Sequence, residues 1–411
     1  MFGRYNARME MTRREWAAGL ATTALGCSSS APSEPSAEQA AAELDVLSRS
    51  YVLDLHCDTP MPMQAEGYDL GVEHDYAQVD IPRMRKGGVT GVFFSIYTSA
   101  TRNTEPEALA KALAIIETVR SEVARFPDDL MLAASTVDIE TAKKSGKIAL
   151  LMGVEGGHML NGSLDTLREL YRLGGRYLTL THGRDTAWAG SSGSKANKGL
   201  TDFGREIVAE MNRLGMMVDI SHVSDKTFSD VIETTKVPLI ASHSSARALS
   251  SHARNMTDDM IRATAEHGGV VHINYYNGFL DDDYVERSNA WSVGKESEDD
   301  IYEKHAAEPA AIEKALRERS TAKLAAIGRT PFDVLLNHFE HVAKIGGVEA
   351  VGMGSDFDGV SDELPAGMED ISKIPNLVAG LSKRGFSDDD VEKILGGNTM
   401  RVMRAVEDAS V

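Results

Sequence analysis

The feature that most constrains the fold is a regular alternation of short apolar runs with amphipathic stretches, which begins near residue 51. Eight runs have the length and β-branched content of strands: 52–56, 89–97, 148–154, 177–181, 216–221, 237–241, 269–274 and 350–355. The stretches between them have a helical period, as in 105–126, 164–173, 201–214, 225–234, 257–267 and 331–345. Strands separated by helices of about 10 to 15 residues form a parallel sheet. Eight such units predict an α/β fold, a (β/α)8 barrel of TIM type.

An open, doubly wound sheet is the competing fold for this pattern. It usually has a glycine-rich phosphate-binding turn after its first strand, and here that position is occupied by Cys57, Asp58, Thr59 and Pro60. The count of units and the polar residues at the strand ends favour the barrel. Two segments are predicted in addition to the eight units of the barrel. Residues 277–330 predict a polar helical excursion between the last two strands, and residues 365–405 predict a C-terminal helical cover.

The charge of the chain narrows its possible partners. Its 411 residues include 43 Lys and Arg against 62 Asp and Glu, a formal net charge of −19. An acidic surface repels phosphate backbones, so nucleic acid is not an expected partner. No apolar run approaches the ~18 residues of a membrane span, and the 2 cysteines indicate no disulfide framework.

Residues 1–27 have the features of a bacterial export signal. Arg13 and Arg14 precede a modest apolar stretch that ends at Cys27. This resembles a twin-arginine signal with a lipoprotein cleavage box, although Ala24 stands where a larger aliphatic residue is usual. Residues 28–47 predict a disordered tether, and 48–411 the barrel domain. We expect a protein of the cell envelope, periplasmic or anchored through a lipidated Cys27, and a cytoplasmic one if the leader is not a signal.

Potential metal ligands and acids follow the apolar runs: His56 with Asp58, then Glu155, His222, His243 and Asp356. Because strand side chains alternate, His56 and Asp58 share one face, and Cys57 should lie on the other. Zinc prefers imidazole nitrogen and carboxylate oxygen, and two ions roughly 3.5–4 Å apart need a carboxylate between them. Glu155, flanked by glycines, is the best candidate for that bridge.

A binuclear hydrolase is therefore the leading interpretation. His56 and Asp58 would hold one zinc ion, and His222 and His243 the other. A shared hydroxide suits the open positions, because metal binding lowers the pKa of water from about 15.7 toward 7. The same ligands would also accept cobalt or manganese.

Six ordered motifs resemble the membrane (renal-type) dipeptidase family: 54–58, 153–158, 178–182, 219–224, 242–246 and 354–359. The similarity extends over residues 48–405 and includes Arg254, Asn255 and residues 367–370. It implies a metallo-dependent hydrolase-like barrel with two zinc ions that cleaves dipeptides with a free C-terminal carboxylate. The ligands it implies are His56 and Asp58 for one zinc, His222 and His243 for the other, and Glu155 for both.

The resemblance also implies roles for residues that bind no metal. His182 would contact the scissile carbonyl oxygen, and Arg254 would bind the C-terminal carboxylate of the substrate. Asp356 would transfer the proton from the hydroxide to the leaving amine. Same-face alternation also makes Asp358, two residues on, a candidate to share that role. His158 is expected to support the site by hydrogen bonding.

Histidines elsewhere are expected to be structural. His272, within a predicted strand, should be buried and hydrogen-bonded. Surface positions are expected for His74, His252, His267, His305, His338 and His341.

Two other functions are open from the residues alone. One is a metal-dependent amidohydrolase acting on lactones, phosphotriesters or cyclic amides; many of these bridge their metals with a carboxylated lysine, a need that Glu155 fills here. The other is a lipid-tethered binding protein with structural zinc, but such sites are closed by four protein ligands per ion. The excursion at 277–330 could cover the site, form a contact in a homodimer, or do neither.

Overall fold

The computed structural model describes residues 45–411. The predicted export signal and most of the predicted tether lie outside the described residues. The described chain begins with helical residues at 45–49, where Val46 and Leu47 are buried. None of the helices within residues 45–411 combines the length and the apolar character needed to cross a bilayer.

The described chain contains nine parallel strands: β1 (Leu53–Cys57), β2 (Gly91–Tyr97), β3 (Leu130–Leu132), β4 (Ile148–Glu155), β5 (Gly175–Thr179), β6 (Met217–Asp219), β7 (Ile240–Ala241), β8 (Val270–Ile273) and β9 (Val351–Met353). Eight of them close into a ring, because β2 pairs with β4 and β9 pairs back to β1. The ring confirms the predicted (β/α)8 barrel. β3 lies outside it, paired with the first residues of β4, while β5 pairs with the later ones.

The strands are buried on both faces. All eight residues of β4 are buried, as expected for a parallel strand with helices on one side and the barrel interior on the other. Leu53, Phe93 and Tyr177 belong to a cluster that fills the lower barrel, while their neighbours in sequence join a larger cluster beneath the helices. Cys57 is fully buried in that outer cluster, on the face predicted for it.

The α-helices that follow in the described chain are α1 (Pro60–Glu66), α2 (Ile81–Lys86), α3 (Glu105–Arg125), α4 (Thr136–Lys144), α5 (Leu164–Arg172), α6 (Asp202–Leu214), α7 (Asp225–Thr234), α8 (Asp258–Glu266), α9 (Asn277–Leu280), α10 (Asp282–Ser292), α11 (Glu298–Lys304), α12 (Pro309–Ile327), α13 (Phe332–Gly346), α14 (Ile374–Lys383), α15 (Asp388–Glu392) and α16 (Asn398–Asp408). Several outer helices begin at Ser or Thr side chains that accept a hydrogen bond from a backbone N–H of the first turn: Ser135, Ser163, Thr201, Ser224 and Thr257. All six helices predicted between the strands are formed.

The last helix, α16, closes the barrel at the N-terminal ends of the strands. Its Met400 and Met403 join the interior cluster with Leu53. Thr399 lies 3.0 Å from Nε2 of His272, the buried histidine of β8. The opposite end, where the strands finish, is left for a site.

Helices α9 to α12 form the excursion between β8 and β9. Its long helix α12 packs on α1, which follows directly after β1. Lys323 of α12 forms a buried ion pair with Glu363, with Nζ and Oε1 2.5 Å apart. This pair ties the excursion to the loop that follows β9.

Candidate metal centre

The predicted ligands converge at the C-terminal ends of six barrel strands. His56 lies in β1 and Asp58 follows it, Glu155 is the last residue of β4, and His182, His222, His243 and Asp356 follow β5, β6, β7 and β9. Most of these side chains are buried, and His182 is the most exposed at 26%. The structure therefore brings together every residue that the sequence singled out as a ligand.

Glu155 lies between two groups of donors. Its Oε2 is 3.5 Å from His56 Nε2 and accepts a hydrogen bond of 3.0 Å from Ser95. Its Oε1 is 3.1 Å from His222 Nε2 and 3.4 Å from His243 Nε2. Each carboxylate oxygen thus faces a different set of ligands, the arrangement that a bridging carboxylate requires.

The donor atoms are placed as metal ligands would be, and their contacts with one another are unfavourable. His56 Nε2 and Asp58 Oδ1 are buried without a hydrogen-bond partner, which costs free energy in a closed interior. The Nε2 atoms of His222 and His243 lie only 2.9 Å apart, where two lone pairs repel unless a proton or cation lies between them. Three groups of ligand atoms lie within 4.8 Å of one another: His56–Glu155–His243, Glu155–His182–His222 and His56–Asp58–Asp356.

The pKa shifts of the proposed ligands also favour metal binding. Burial holds the pKa of His222 and of His243 well below the usual range, so both rings are neutral. Burial alone would raise the pKa of Glu155, but the neighbouring His56 and His182 hold it well below its usual range. Neutral imidazoles and an ionised carboxylate are the forms that bind metal. At His56, Tyr177 and the carboxylates of Glu155 and Asp58 outweigh burial and raise the pKa well above its usual range, so a bound cation would take the place of that proton.

The backbone at the site is strained where it aims the ligands. His222 and Asp356 have φ angles of 67° and 66°, in the left-handed region that residues other than glycine rarely adopt. Gly359 leaves room for two carboxylates, because a Cβ there would lie 2.2 Å from Asp58 Oδ2 and 2.5 Å from Asp356 Oδ1. The strained backbone and the absence of a side chain at Gly359 together let the carboxylates of Asp58 and Asp356 lie close to each other.

Tyr177 orients His56, a role that the sequence did not reveal. The Tyr177 hydroxyl lies 2.8 Å from His56 Nδ1 inside the barrel, so Nε2 is left to face Glu155. The Tyr177 ring occupies space next to Gly153, where a Cβ would lie 1.8 Å from it. The sequence did offer one sign of this role: Tyr177 lies in a predicted strand, and alternate side chains of a barrel strand face the interior.

Ser242 and Asp219 orient His243 in a similar way. The Ser242 hydroxyl donates to Asp219 Oδ2 at 2.7 Å, so its oxygen accepts from Nδ1 of His243, also at 2.7 Å. Asp219 is held in turn by the backbone N–H groups of Ser221 and Ser242. Both residues lie in motifs quoted from the sequence, but their roles depend on contacts between strands.

Asp356 and Asp358 point to different surroundings. Asp356 Oδ2 accepts a hydrogen bond of 2.8 Å from Asn274, and burial with neighbouring carboxylate charge raises its pKa to about 7. Asp358 instead accepts hydrogen bonds of 2.6 Å from the Thr59 hydroxyl and the Gln78 backbone. Asp356 therefore faces the ligand cluster, while Asp358 joins the loops beneath it.

Arg254 is a buried cation beside the centre. It donates to the His243 carbonyl oxygen at 2.9 Å and to Ser244 Oγ at 3.3 Å, and its Nε has no hydrogen-bond partner. Burial lowers the pKa of the guanidinium to about 10, so it stays charged. A guanidinium held only by neutral oxygen atoms, with a free N–H, is suited to bind a carboxylate.

His182 and His158 lie on either side of the Glu155 turn. The His182 ring contacts those of His222 and Tyr97, with centroids 4.2 and 4.7 Å apart, and its Nε2 is 3.7 Å from Glu155 Oε1. His158 Nε2 lies 3.0 Å from the carbonyl oxygen of Thr98, and burial lowers its pKa to about 4. His182 thus borders the cluster at its open side, and His158 is a hydrogen-bonded neighbour outside it.

Comparison with known proteins identifies the family of this chain. The model of the membrane dipeptidases, peptidase family M19, matches residues 40–411. The probable dipeptidase PvdM from Pseudomonas aeruginosa is 23% identical with a TM-score of 0.78, over 91% of this chain and 99% of that one. Dipeptidase AC, a metallo peptidase of family M19, is 25% identical with a TM-score of 0.71, over 87% of this chain and 98% of that one.

A third structure of the same fold is a metallo peptidase from Rhodobacter sphaeroides liganded with a phosphinate mimic of L-Ala-D-Ala. It is 24% identical with a TM-score of 0.71, over 87% of this chain and 99% of that one. The family match confirms the resemblance found in the six motifs, and the shared fold confirms the barrel. The chain belongs to the membrane dipeptidase family, M19, and is a metallo-dipeptidase.

Proposed function

We propose that this metallo-dipeptidase uses two zinc ions to hydrolyse dipeptides whose C-terminal carboxylate is free. The observation that carries the proposal is the position of Glu155, whose two oxygens face separate groups of ligands. His56 and Asp58 would hold one ion and His222 and His243 the other, with Glu155 shared. When bound, the ions would lower the pKa of a water molecule between them and polarise the peptide carbonyl.

Arg254 would bind the C-terminal carboxylate of the substrate. Its free Nε and its buried positive charge make it the anchor for a planar anion beside the centre. The Rhodobacter sphaeroides peptidase, which binds a mimic of a dipeptide, supports a ligand of this size in the same fold.

Asp356 and His182 would carry the proton and the developing charge. Asp356, held by Asn274, would accept a proton from the attacking water and pass it to the leaving amine. Burial raises the pKa of Asp356 above the ordinary carboxyl range, which favours its taking up the proton of the attacking water. His182 would donate a hydrogen bond to the carbonyl oxygen as it becomes an oxyanion, a contact often worth ~3 kcal/mol.

The test combines elemental analysis with hydrolysis of Ala-Ala and of its C-terminal amide. The expected result is about two zinc ions per chain, as the shared position of Glu155 requires, and cleavage of the free acid in strong preference to the amide. One ion per chain, or equal cleavage of the two substrates, would contradict the proposal. Cobalt or manganese in place of zinc would correct the metal and leave the roles of the residues unchanged.

We also propose that residues 1–27 direct export and that Cys27 is the lipid attachment site. The support is the Arg13–Arg14 pair ahead of an apolar stretch ending at Cys27. Replacing both arginines with lysine should leave the protein in the cytoplasm, and Cys27→Ser should release it from the membrane fraction. Unchanged fractionation of both variants would rule the leader out as a signal.

A further inference from the structure

We propose that helix α11 is a lid over the amino-terminal side of the substrate site and limits the peptide to two residues. The inference rests on the proposed function, because it takes Arg254 as the anchor for the C-terminal carboxylate. It assigns a role to the excursion, which the ligand set of the metal centre does not use.

The excursion is fixed over the C-terminal face of the barrel. Its helix α12 packs on α1, directly after the ligand Asp58, and the buried Lys323–Glu363 pair ties it to the loop after β9. The Arg317 guanidinium lies 4.7 Å from the centroid of the Tyr76 ring, in the loop between α1 and α2. These contacts place α12 along the β1–β9 side, so that α11, just before it in the chain, can reach the neighbouring strand ends.

Helix α11 is joined to the loop after β2 through Arg102. Arg102 forms an ion pair of 2.6 Å with Asp299, and its guanidinium carbon lies 3.6 Å from the centroid of the Tyr302 ring. Tyr97, the last residue of β2, is the tyrosine whose ring contacts His182 at 4.7 Å. The helix therefore docks at the strand end that adjoins the proposed oxyanion contact.

The direction of a bound dipeptide follows from the order of strands in the ring. Arg254 is held by the loop after β7, and β2 and β4 lie across the ring from it. A substrate with its carboxylate on Arg254 and its carbonyl at Glu155 extends its N-terminal residue toward β2. That is where Tyr97 and α11 lie, so a third residue would have to pass through the position of the helix.

The joint that holds α11 is weak enough to open. The Asp299 and Arg102 side chains are 86% and 37% exposed, and exposed ion pairs are screened by water and salt. The helix is capped by its own residues, since Ser297 and Asp300 exchange hydrogen bonds of 2.8 and 3.1 Å. It can therefore move as a unit, and Arg102 acts as the latch.

The experiment compares kcat/KM for Ala-Ala-Ala with kcat/KM for Ala-Ala. Arg102→Asp should release the lid and raise the tripeptide-to-dipeptide ratio at least tenfold. The double variant Arg102→Asp/Asp299→Arg should bring the ratio back toward that of the wild type. Arg262→Asp is the matched control, because Arg262 forms an equally short ion pair with Asp259 on the surface of α8. Tyr302→Ala, which shortens the lid and keeps the ion pair, should also raise the ratio.

An unchanged tripeptide-to-dipeptide ratio in Arg102→Asp and Tyr302→Ala, or an equal rise in Arg262→Asp, would contradict the proposal that α11 is a lid. Metal content and the preference for free acid over amide are measured on the same preparations. If these two properties are intact while the ratio stays constant, the lid is wrong and the proposed function stands. If the wild-type enzyme shows no preference for the free acid, the proposed function fails and the lid loses its basis.

Discussion

Tyr177 and Ser242 determine which nitrogen of a histidine faces the metal centre. A neutral imidazole has one N–H and one lone pair, and the hydrogen bond at Nδ1 decides which is which. The Tyr177 hydroxyl lies 2.8 Å from His56 Nδ1, and Ser242, whose hydroxyl donates to Asp219, accepts from Nδ1 of His243. In both rings Nε2 is then the nitrogen that faces Glu155.

Tyr177→Phe should weaken metal binding about 10- to 100-fold, the usual effect of losing such an orienting partner. The measurement is competition against a chelator of known affinity, followed by metal content. Tyr171→Phe is the control, because Tyr171 lies on the outer helix α5. Equal metal affinity in both variants and the wild type would show that the Tyr177 hydroxyl does not orient His56.

Arg254→Ala should raise KM for the free dipeptide about a hundredfold. The reason is that a substrate carboxylate would then be buried without a partner, at a cost of a few kcal/mol. Metal content should stay at the wild-type value, and KM for the C-terminal amide should change little. A KM for the free acid that does not move would remove Arg254 from the substrate site.

Single residues also show where sequence reasoning stops. Period-two alternation puts Asp356 and Asp358 on one face, but both have φ near 66°, which breaks the alternation and turns them apart. The pattern of α13 suggested a surface His338, yet the ring is fully buried, accepts from the Ala246 N–H and lies 3.0 Å from the Leu280 carbonyl oxygen. That prediction was wrong because the excursion covers a helix face that would otherwise meet water.

Among the elements, the loop after β9 leaves no room for an added side chain at Gly359. Gly359→Ala should abolish most of the activity, because the added Cβ would displace the carboxylates of Asp58 and Asp356. Gly183→Ala is the control, since a Cβ there meets no atom within 4 Å. Kinetics and circular dichroism on both variants make the comparison; full activity in Gly359→Ala would mean that the carboxylates need no such room.

The packing of α13 should make the protein sensitive to acid. Burial lowers the pKa of His338 to about 4 from 6.5, so below pH 6.5 the unfolded chain binds a proton that the folded chain does not. Stability contributed by the neutral ring is therefore present above pH 6.5 and is lost as the pH falls toward 4, by up to about 3 kcal/mol. Urea unfolding of wild type and His338→Asn at pH 7 and pH 4.5 checks this. The variant should lose less stability between the two pH values, and an equal loss would contradict the assignment.

Helices and strands were predicted well where the pattern of neighbouring residues alone identifies them. The eight ring strands are continuous apolar runs, and each was found within a few residues of its predicted position. The outer strand β3 was missed, because three residues, only one of them buried, have no detectable period. The excursion was predicted as helical, but its position over the barrel depends on the Lys323–Glu363 and Arg102–Asp299 pairs, which join distant segments.

At the scale of the whole molecule, the metal centre concentrates negative charge that the fold alone does not neutralise. Asp58, Glu155 and Asp356 meet inside a chain whose formal net charge is already −19. A bound cation would offset this repulsion and satisfy the orphaned His56 and Asp58 atoms. Metal should therefore stabilise the whole domain.

Removing the metal with a chelator should lower Tm by several degrees. A ligand present at about 1,000 times its Kd stabilises the folded state by ~4 kcal/mol, and zinc added back should restore it. Scanning calorimetry with and without chelator measures the effect. His243→Ala, which lacks one of the proposed ligands, should show a smaller shift, and equal shifts in both proteins would place the stabilising metal elsewhere.

Closure of the ring through β1 and β9 also has a consequence for a chain that is still being synthesised. His56 emerges from the ribosome about 300 residues before Asp356, and the two are joined only when Asp356 N–H bonds to the His56 carbonyl. On the proposed roles, every metal ligand is translated before the proton-transfer residue, and the lid also precedes it. A nascent chain could thus acquire its metal while remaining unable to cut peptides, and would become active only when the final strand is in place.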